Sequence, residues 1–332
     1  MYNGNIVFVY NTSPVGRHSA MWLVEWPIAS LTRKGYFVES VSLNDVLSPT
    51  RRQRKILSDA DIIFYERHVD DPWMEFFDWA IREKRFYILL DDAHWCVHPS
   101  EPSYAFWSTN DRLQKLMDVA EASSGVVAPS KKLAGHFSNG IFKPNRPDLL
   151  DPCWSIAPLH DEKVILWGGT SGHIGGMQGH PCLEAIDQLT AENECRFIAI
   201  YGSPAMKSLL EKSVRNVTYT SFLPYSEWLR VLSGATVSIC PIGDEYDEHR
   251  SWIKALESSF SGTPWVASDN GVYEDCEGGV EVTNTVEAWY ESLKWLLNED
   301  KVRNEMRNDG LAWSWRQGLD DHLHEWEAIF NG

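Results

Sequence analysis

Short apolar runs alternate with helical stretches along the chain, and this alternation constrains the fold more than any other feature. The clearest helical stretch is residues 19–33, and we expect this helix to end at Gly35. Strands separated by helices predict βαβ units and a parallel sheet. In the first half the runs are rich in β-branched and aromatic residues and occupy residues 6–10, 37–43, 61–65, 86–90 and 125–128.

The alternation restarts after a proline-rich stretch, residues 143–161, which contains four prolines and no clean periodicity. That stretch predicts a linker. The second set of predicted strands covers residues 164–167, 197–201, 217–220, 236–240 and 265–268. The sequence therefore predicts an α/β protein with two similar doubly wound domains, residues 1–150 and residues 151–310.

Composition narrows the class further. The chain has 332 residues, of which 43% are hydrophobic and 23% charged, so collagen-like and disordered classes are excluded. No apolar run approaches the roughly 20 residues of a membrane helix. The first residues lack a basic segment and a cleavage site, and the six scattered cysteines suit a reducing compartment. We therefore expect a cytoplasmic protein.

The net charge of −17 is unevenly distributed. Residues 1–150 hold 17 basic and 18 acidic residues, whereas residues 151–332 hold 13 and 29. A strongly acidic chain is a poor candidate for nucleic-acid binding, but the first half is near neutral. Its basic clusters, at residues 51–55, 82–85 and 131–132, are either ordinary solvated surface or contacts for an anionic acceptor such as DNA.

A glycine-dense loop follows the first strand of the second half. Residues 168–179 contain six glycines and precede a predicted helix. Glycine lets backbone N–H groups approach an anion, and a helix N-terminus adds a favourable dipole. The stretch is either a phosphate-binding loop or a flexible tight turn. It matches neither a Walker A loop nor the dinucleotide-binding fingerprint.

A second cluster lies at residues 250–257. Arg250, Lys254 and Glu257 are spaced four and three apart, so on a helix they share one face. Two cations near a helix start can hold a diphosphate, and a carboxylate can accept bonds from both ribose hydroxyls. The alternative is a solvated face with a salt bridge from Lys254 to Glu257.

These motifs, in this order, resemble nucleotide-sugar glycosyltransferases of the GT-B fold, closest to the retaining family-4-like group. Residues 250–268 are similar to that family's Lys-Ser-x-x-Lys-x-x-Glu helix followed by Gly-x-Pro-x-x-Ala-Ser, with Arg250 in place of lysine. Residues 168–173 resemble its donor loop, and residues 220–227 resemble the stretch that lines the nucleobase. Residues 127–130 and 143–145 resemble its Pro-Ser and Pro-Asn motifs.

The resemblance implies two Rossmann-like domains with a cleft between them and assigns roles to particular residues. Residues 1–150 would bind the acceptor, residues 151–310 the donor, and residues 311–332 would pack back on the first domain. Acceptor and transferred sugar would face Asp91, Asp92 and His94, the catalytic candidates after the fourth strand. The alternative is that an aspartate caps a helix and the histidine is a packing residue. The donor-binding candidates are Gly16, Gly169, Thr170, Ser171, His173, Leu223, Arg250, Ser251, Lys254 and Glu257.

One departure concerns the donor sugar, because many family members place a glutamate eight residues before the position of Glu257. Here that position is His249, beside Glu248. No Asp-x-Asp motif occurs, and the histidine pairs 94/98 and 322/324 are poor metal sites, so no metal and no cofactor are expected. The nucleotide sugar is a co-substrate.

The predicted reaction moves a sugar from a nucleoside diphosphate sugar, with a UDP-sugar expected, to an acceptor hydroxyl. The resemblance implies retention of anomeric configuration and independence from metals. The acceptor is a glycan, a lipid or another small molecule, or, as an alternative, a hydroxymethylated base in DNA, as for phage-type enzymes. A second alternative is a non-catalytic nucleotide-binding protein. The oligomeric state is not predicted.

Overall fold

A computed structural model describes residues 2–11, 17–154, 163–201 and 203–332. Contacts divide the chain into two compact units. Unit 1 comprises Met1–Trp95, Phe106–Asp148 and Gln317–Gly332, and unit 2 comprises Cys96–Ala105 and Leu149–Arg316. Within the described residues, no helix combines the length and apolar composition needed to cross a membrane.

Unit 1 contains a six-stranded sheet whose paired strands all run parallel, in the order β2-β1-β3-β4-β5-β6. The apolar runs of the sequence form its central strands because both faces of such a sheet are buried. The strands are β1 (Asn5–Tyr10), β2 (Phe37–Ser42), β3 (Ile62–Glu66), β4 (Arg85–Leu89), β5 (Gly125–Ala128) and β6 (Gly140–Phe142).

The helices before residue 140 connect these strands. The helix predicted over residues 19–33 forms as three consecutive pieces: α1 (Arg17–Ala20), a π-helical turn (Met21–Glu25) and α2 (Trp26–Arg33). Gly35 follows the last piece with a φ of +88°. The α-helices are α1 (Arg17–Ala20), α2 (Trp26–Arg33), α3 (Leu43–Leu47), α4 (Arg51–Asp59), α5 (Met74–Glu83), α6 (Pro102–Trp107), α7 (Arg112–Ala122) and α8 (Lys131–Ala134). Short 3-10 turns occur at Asp71–Trp73 and His94–Cys96.

Unit 2 contains a second parallel sheet, in the order β12-β11-β10-β7-β8-β9. Successive strands lie on one side of β7 and then on the other, which makes this sheet doubly wound. The strands are β7 (Val164–Gly169), β8 (Arg196–Tyr201), β9 (Val217–Thr220), β10 (Val237–Cys240), β11 (Trp265–Ser268) and β12 (Gly279–Val282). The predicted α/β fold class is confirmed.

The helices of unit 2 cover both faces of its sheet, and the main core includes buried Trp167, Phe197 and Trp289. A 3-10 turn lies at Ser171–His173. The α-helices are α9 (Ile174–Met177), α10 (Pro181–Ala191), α11 (Pro204–Ser213), α12 (Tyr225–Ser233), α13 (Glu245–Glu248), α14 (Ile253–Phe260), α15 (Val286–Asn298) and α16 (Asp300–Trp315).

The last residues of the chain belong to unit 1, where a 3-10 turn (Leu319–Asp321) precedes α17 (His324–Asn331). Trp326 lies edge-on to Phe8 and Phe64, at 5.6 and 5.1 Å between ring centroids. Arg146 forms a salt bridge with Glu325 at 2.7 Å. The C-terminal segment therefore completes the core of unit 1.

Two strands and one linker differ from the sequence predictions. Strands β6 and β12 are not predicted, because each is short, begins with glycine and lies at the edge of its sheet. The start of the predicted linker is buried in unit 1, including Lys143, Asn145 and Arg146. The Lys143 ammonium lies 4.4 Å from the Trp326 ring, and burial lowers the pKa of Lys143 to about 8.

Candidate functional site

Strands β7 and β10 of unit 2 are neighbours at the point where the strand order reverses. In open α/β sheets, ligands bind beyond the carboxyl ends of strands at such a switch point. The glycine-dense loop follows β7, and residues 241–250 follow β10. Two loops that the sequence singled out separately therefore lie together at one edge of the sheet.

Close packing accounts for several glycines of this loop. A Cβ added at Gly168 would lie 2.5 Å from the indole of Trp228. A Cβ at Gly175 would meet the Asp244 carboxylate, and one at Gly176 would meet that of Asp247. The glycines thus allow the loop after β10 to pack against the loop after β7. Their number reflects this packing as well as any approach to a phosphate.

His173, a predicted donor ligand, is buried in this packing. Its Nδ1 lies 2.6 Å from Oδ1 of Asp247, and both side chains are almost fully enclosed. The His173 ring also meets Trp167 edge-on, at 6.0 Å between centroids. These contacts give His173 a positioning role, because they fix the 3-10 turn of residues 171–173 against the loop after β10.

Thr170 and Ser171 occupy the tip of the loop. The exposed Thr170 hydroxyl accepts a hydrogen bond from the backbone N–H of Gly172 at 3.3 Å. The Ser171 hydroxyl donates to the Glu101 carboxylate at 2.6 Å. Glu101 belongs to the short segment Cys96–Ala105 that packs within unit 2. A carboxylate therefore lies at the loop that the sequence assigns to phosphate binding, a contact that no local pattern indicates.

The predicted shared face of residues 250–257 is wrong in part. Helix α14 begins at Ile253, so Arg250 and Ser251 precede it. Arg250 lies in the bend after α13, with its guanidinium 5.4 Å from the centroid of the Tyr246 ring. Only Lys254 and Glu257 are residues of α14. The half-buried Ser251 lies directly before it.

Lys254 and Glu257 reach groups beyond their own helix. The Lys254 ammonium donates to the carbonyl oxygen of Gly168, at the end of β7, and lies 5.6 Å from the Trp167 ring. The buried Glu257 carboxylate accepts a hydrogen bond from the indole N–H of Trp228 at 2.9 Å. Burial lowers the pKa of Lys254 and raises that of Glu257. Two opposite charges are thus held at the switch point with little solvent.

The stretch after β9 contributes apolar surface. Leu223, a predicted donor contact, is half-buried and packs against the small cluster that includes Leu166 and Ile200. Its neighbour Phe222 is 49% exposed. Trp228, on α12, packs on the same cluster, contacts Gly168 and bonds Glu257. Sequence reasoning missed Trp228, because an indole three residues into an amphipathic helix is typical of core packing.

The catalytic candidates lie in unit 1, directly after β4. Asp91 forms a close ion pair with Arg67, and Nη1 of Arg67 lies 3.9 Å from Oδ2 of Asp92. The His94 ring is buried and stacks on Trp107, with 4.0 Å between ring centroids. Arg67 follows β3 and gave no signal in the sequence.

The remaining predicted residue, Gly16, lies outside the described residues. Asp91, Asp92 and His94 are brought together within unit 1, and most donor candidates within unit 2. The other donor candidates lie at the end of β7, on the two loops, or on and directly before α14 at the switch point: Gly169, Thr170, Ser171, His173, Arg250, Ser251, Lys254 and Glu257. The predicted cleft between the domains stays a prediction.

The family comparison matches this same part of the chain. Residues 166–299 match the family model described as "Glycosyl transferases group 1". That range contains the glycine-dense loop, Lys254 and Glu257. This part of the chain is therefore similar to group 1 glycosyl transferases. No curated protein sequence matches this chain.

Solved structures share the fold of this chain along almost its whole length. Sucrose-phosphate synthase from Thermosynechococcus elongatus is 13% identical and has a TM-score of 0.65, covering 99% of this chain and 98% of that chain. HepE of Anabaena, in complex with UDP and glucose, is 11% identical with a TM-score of 0.66, covering 98% and 99%. WaaG, a glycosyltransferase involved in lipopolysaccharide biosynthesis, is 14% identical with a TM-score of 0.61, covering 98% and 100%. At these identities the likeness concerns the fold, which is GT-B.

Proposed function

We propose that this protein is a glycosyltransferase that moves a sugar from a UDP-sugar to an acceptor hydroxyl, with retention of configuration and without a metal ion at the diphosphate. The observation that supports it best is the placement of Lys254 and Glu257 at the switch point of unit 2, inside the matched residues. UDP is the proposed nucleotide because similar folds were solved with UDP or UDP-glucose bound.

The donor would be held by α14 and the two loops. Glu257 accepts hydrogen bonds from the ribose hydroxyls, while Arg250 and Lys254 face the diphosphate. Negative charge builds on the leaving phosphate as the glycosidic bond breaks, so preorganised cations there lower the barrier. With two cations in place, a divalent ion is not needed for this step.

Transfer breaks the bond between the anomeric carbon and the phosphate oxygen and forms one to the acceptor oxygen. The acceptor hydroxyl gives its proton to the phosphate oxygen that leaves, and UDP is released. We assign the orientation of that hydroxyl to Asp92, because Asp91 is committed to a closer pair with Arg67. His94 would contact the transferred sugar or a phosphate.

Calorimetry tests the donor assignment. We expect the wild-type protein to bind UDP and UDP-glucose, and Lys254→Ala and Glu257→Ala each to weaken binding at least tenfold. Lys301→Ala, an exposed change in unit 2, serves as the matched control. Unchanged nucleotide affinity in both site variants would show the assignment to be wrong.

Catalysis and its outcome need separate measurements. Slow hydrolysis of UDP-glucose by the isolated protein would contradict the alternative of a non-catalytic nucleotide-binding protein. With a competent acceptor, the NMR coupling of the anomeric proton shows retention or inversion. Full activity after chelator treatment would support metal independence, and activity restored only by added Mn²⁺ would contradict it.

The alternative acceptor, a hydroxymethylated base in DNA, is favoured by one feature of unit 1. Helix α4 exposes Arg51, Arg52 and Arg54 in one run. Phosphate contacts weaken steeply with salt, so a gel shift that disappears between low and moderate salt would support this acceptor. Charge reversal at the three arginines should abolish that shift, and binding of no DNA at low salt excludes the alternative.

A further inference from the structure

Two parts of unit 2 that are far apart in the sequence bring three metal-ligating side chains together. One ligand atom each of Cys96, Glu245 and His249 lies within 4.8 Å of the others. We propose that Cys96, Glu245 and His249 form a zinc site, with water at the fourth position. The proposal stands independently of the transferase reaction, and no catalytic step is assigned to the ion.

His249 is held in the form that binds a metal. Its Nδ1 lies 2.7 Å from the backbone oxygen of Glu245, and the residue is 4% exposed. A carbonyl only accepts, so Nδ1 carries the proton and, in the neutral ring, the lone pair is on Nε2. Metal-bound histidines commonly donate their other N–H to a backbone carbonyl, which fixes the ring and its tautomer.

Glu245 and His249 share one side of a single helical turn. Glu245 is the first residue of α13, and His249 follows the helix directly as its C-cap. Residues four apart on a helix lie one above the other, so both side chains reach the same point. This geometry supplies two ligands from a rigid local element.

Cys96 supplies the third ligand from another part of unit 2. It is the half-buried last residue of the 3-10 turn His94–Cys96. Its segment already docks on this part of the unit, since Glu101 bonds Ser171 and His98 lies against Gly175. A metal at Cys96 would add a further tie between that segment and α13.

The ligand types select the ion. One sulfur, one nitrogen and one oxygen suit Zn²⁺, whereas Mg²⁺ and Ca²⁺ prefer oxygen ligands only. Bonds of roughly 2.0–2.3 Å in a tetrahedron bring ligand atoms to about 3.3–3.8 Å from one another. The exposed Glu245 carboxylate has the freedom to close the remaining gap by rotation. The sequence predicts no metal site, because about 150 positions separate Cys96 from the other two ligands.

A second group in the described residues, His322, His324 and Glu325 in unit 1, also places its ligand atoms within 4.8 Å. It contains no thiol. Metal bound there therefore gives no thiolate-to-metal charge-transfer band, and this difference lets one spectrum tell the two groups apart.

Cobalt substitution of the full-length protein tests the proposal. The protein is treated with a chelator, titrated with Co²⁺ and followed by absorption, and Zn²⁺ is then added in competition. We expect one equivalent of Co²⁺ to produce a thiolate charge-transfer band with intense tetrahedral visible bands, and Zn²⁺ to displace it. Cys96→Ser should abolish the charge-transfer band.

His249→Gln and Glu245→Gln should each weaken Zn²⁺ binding by at least about tenfold. Cys153→Ser and His322→Gln are the matched controls and should leave the band unchanged. Absence of a charge-transfer band in the wild type overturns the proposal, and so does a band that persists in Cys96→Ser. Should Cys96→Ser not fold, an undiminished affinity in His249→Gln overturns it equally.

Discussion

The indole N–H of Trp228 donates a 2.9 Å hydrogen bond to Glu257, and the same ring closes over Gly168. One side chain therefore contacts both the proposed ribose ligand and the end of β7. Trp228→Phe keeps a ring over Gly168 but removes the donor to a buried carboxylate. A hydrogen bond to a charged group contributes about 1.5–3 kcal/mol, so UDP affinity should fall by roughly ten- to a hundredfold in calorimetry.

Two further variants separate the hydrogen bond from ring packing. Trp228→Leu removes both and should also lower the melting temperature more than Trp228→Phe does. Trp295→Phe, a change at a 42% exposed ring of the same unit, should affect neither quantity. Equal UDP affinity in the wild type and Trp228→Phe would contradict the role given to this bond.

UDP binding should depend on pH in two directions. Burial raises the pKa of Glu257 above its usual 4.5 and lowers that of Lys254 below its usual 10.5. Binding needs an ionised Glu257 and a protonated Lys254. Affinity should therefore increase with pH above 4.5 as Glu257 ionises, and decrease again before pH 10.5 as Lys254 loses its proton.

Calorimetric titrations across this range check the pH profile. Glu257→Gln should flatten the acid side of the profile, and Lys254→Met the alkaline side. If the wild-type affinity changed on the acid side only, the role given to Lys254 would be contradicted. If it changed on the alkaline side only, the role given to Glu257 would be contradicted.

Glu101 places a negative charge beside the proposed phosphate loop through its 2.6 Å bond to Ser171. A diphosphate at that loop meets a like charge, and both compete for the Ser171 hydroxyl. Glu101→Gln should therefore strengthen UDP binding, by about fivefold at low salt and less at high salt. Glu277→Gln, an exposed change elsewhere in unit 2, is the control. If Glu101→Gln bound UDP more weakly than the wild type, Glu101 would instead be a positioning residue.

Lys143 should make stability depend on pH. Its folded pKa of about 8 lies below the usual 10.5 because the ammonium is buried. Between these values the unfolded chain holds a proton that the folded chain has released, so the free energy of unfolding increases with pH. Between pH 8 and pH 10.5, the free energy of unfolding of the wild type should increase by about 3 kcal/mol more than that of Lys143→Met, as measured by urea unfolding. Lys55→Met, at an exposed position of α4, should show no such difference, and parallel curves for wild type and Lys143→Met would contradict the effect.

The fold was predictable to the extent that local pattern determines it. Runs such as residues 62–66 and 164–167 are buried on both faces, so their apolar composition identifies them as parallel strands. Strands β6 and β12 were not predicted, because an edge strand needs neither length nor a continuous apolar run. The linker prediction failed at Lys143 and Arg146, whose burial depends on residues 317–332, far away in the sequence.

In the candidate site, too, residues with a local sequence pattern were predicted, whereas contacts between distant elements were not. Lys254 and Glu257 were found because their spacing on one helix is a local property. Their partners Gly168 and Trp228, and the pairs of Asp91 with Arg67 and Ser171 with Glu101, join residues from different elements. Such pairs depend on how strands and loops are arranged in space, and a single sequence carries no periodic signal for them.

The return of residues 317–332 to unit 1 has a consequence for synthesis on the ribosome. Trp326 contributes to the aromatic core around Phe8 and Phe64, yet it is translated after all of unit 2. The core of unit 1 is therefore incomplete while residues 149–316 are synthesised. Docking of the last helix, α17, is therefore the step that completes the core of unit 1.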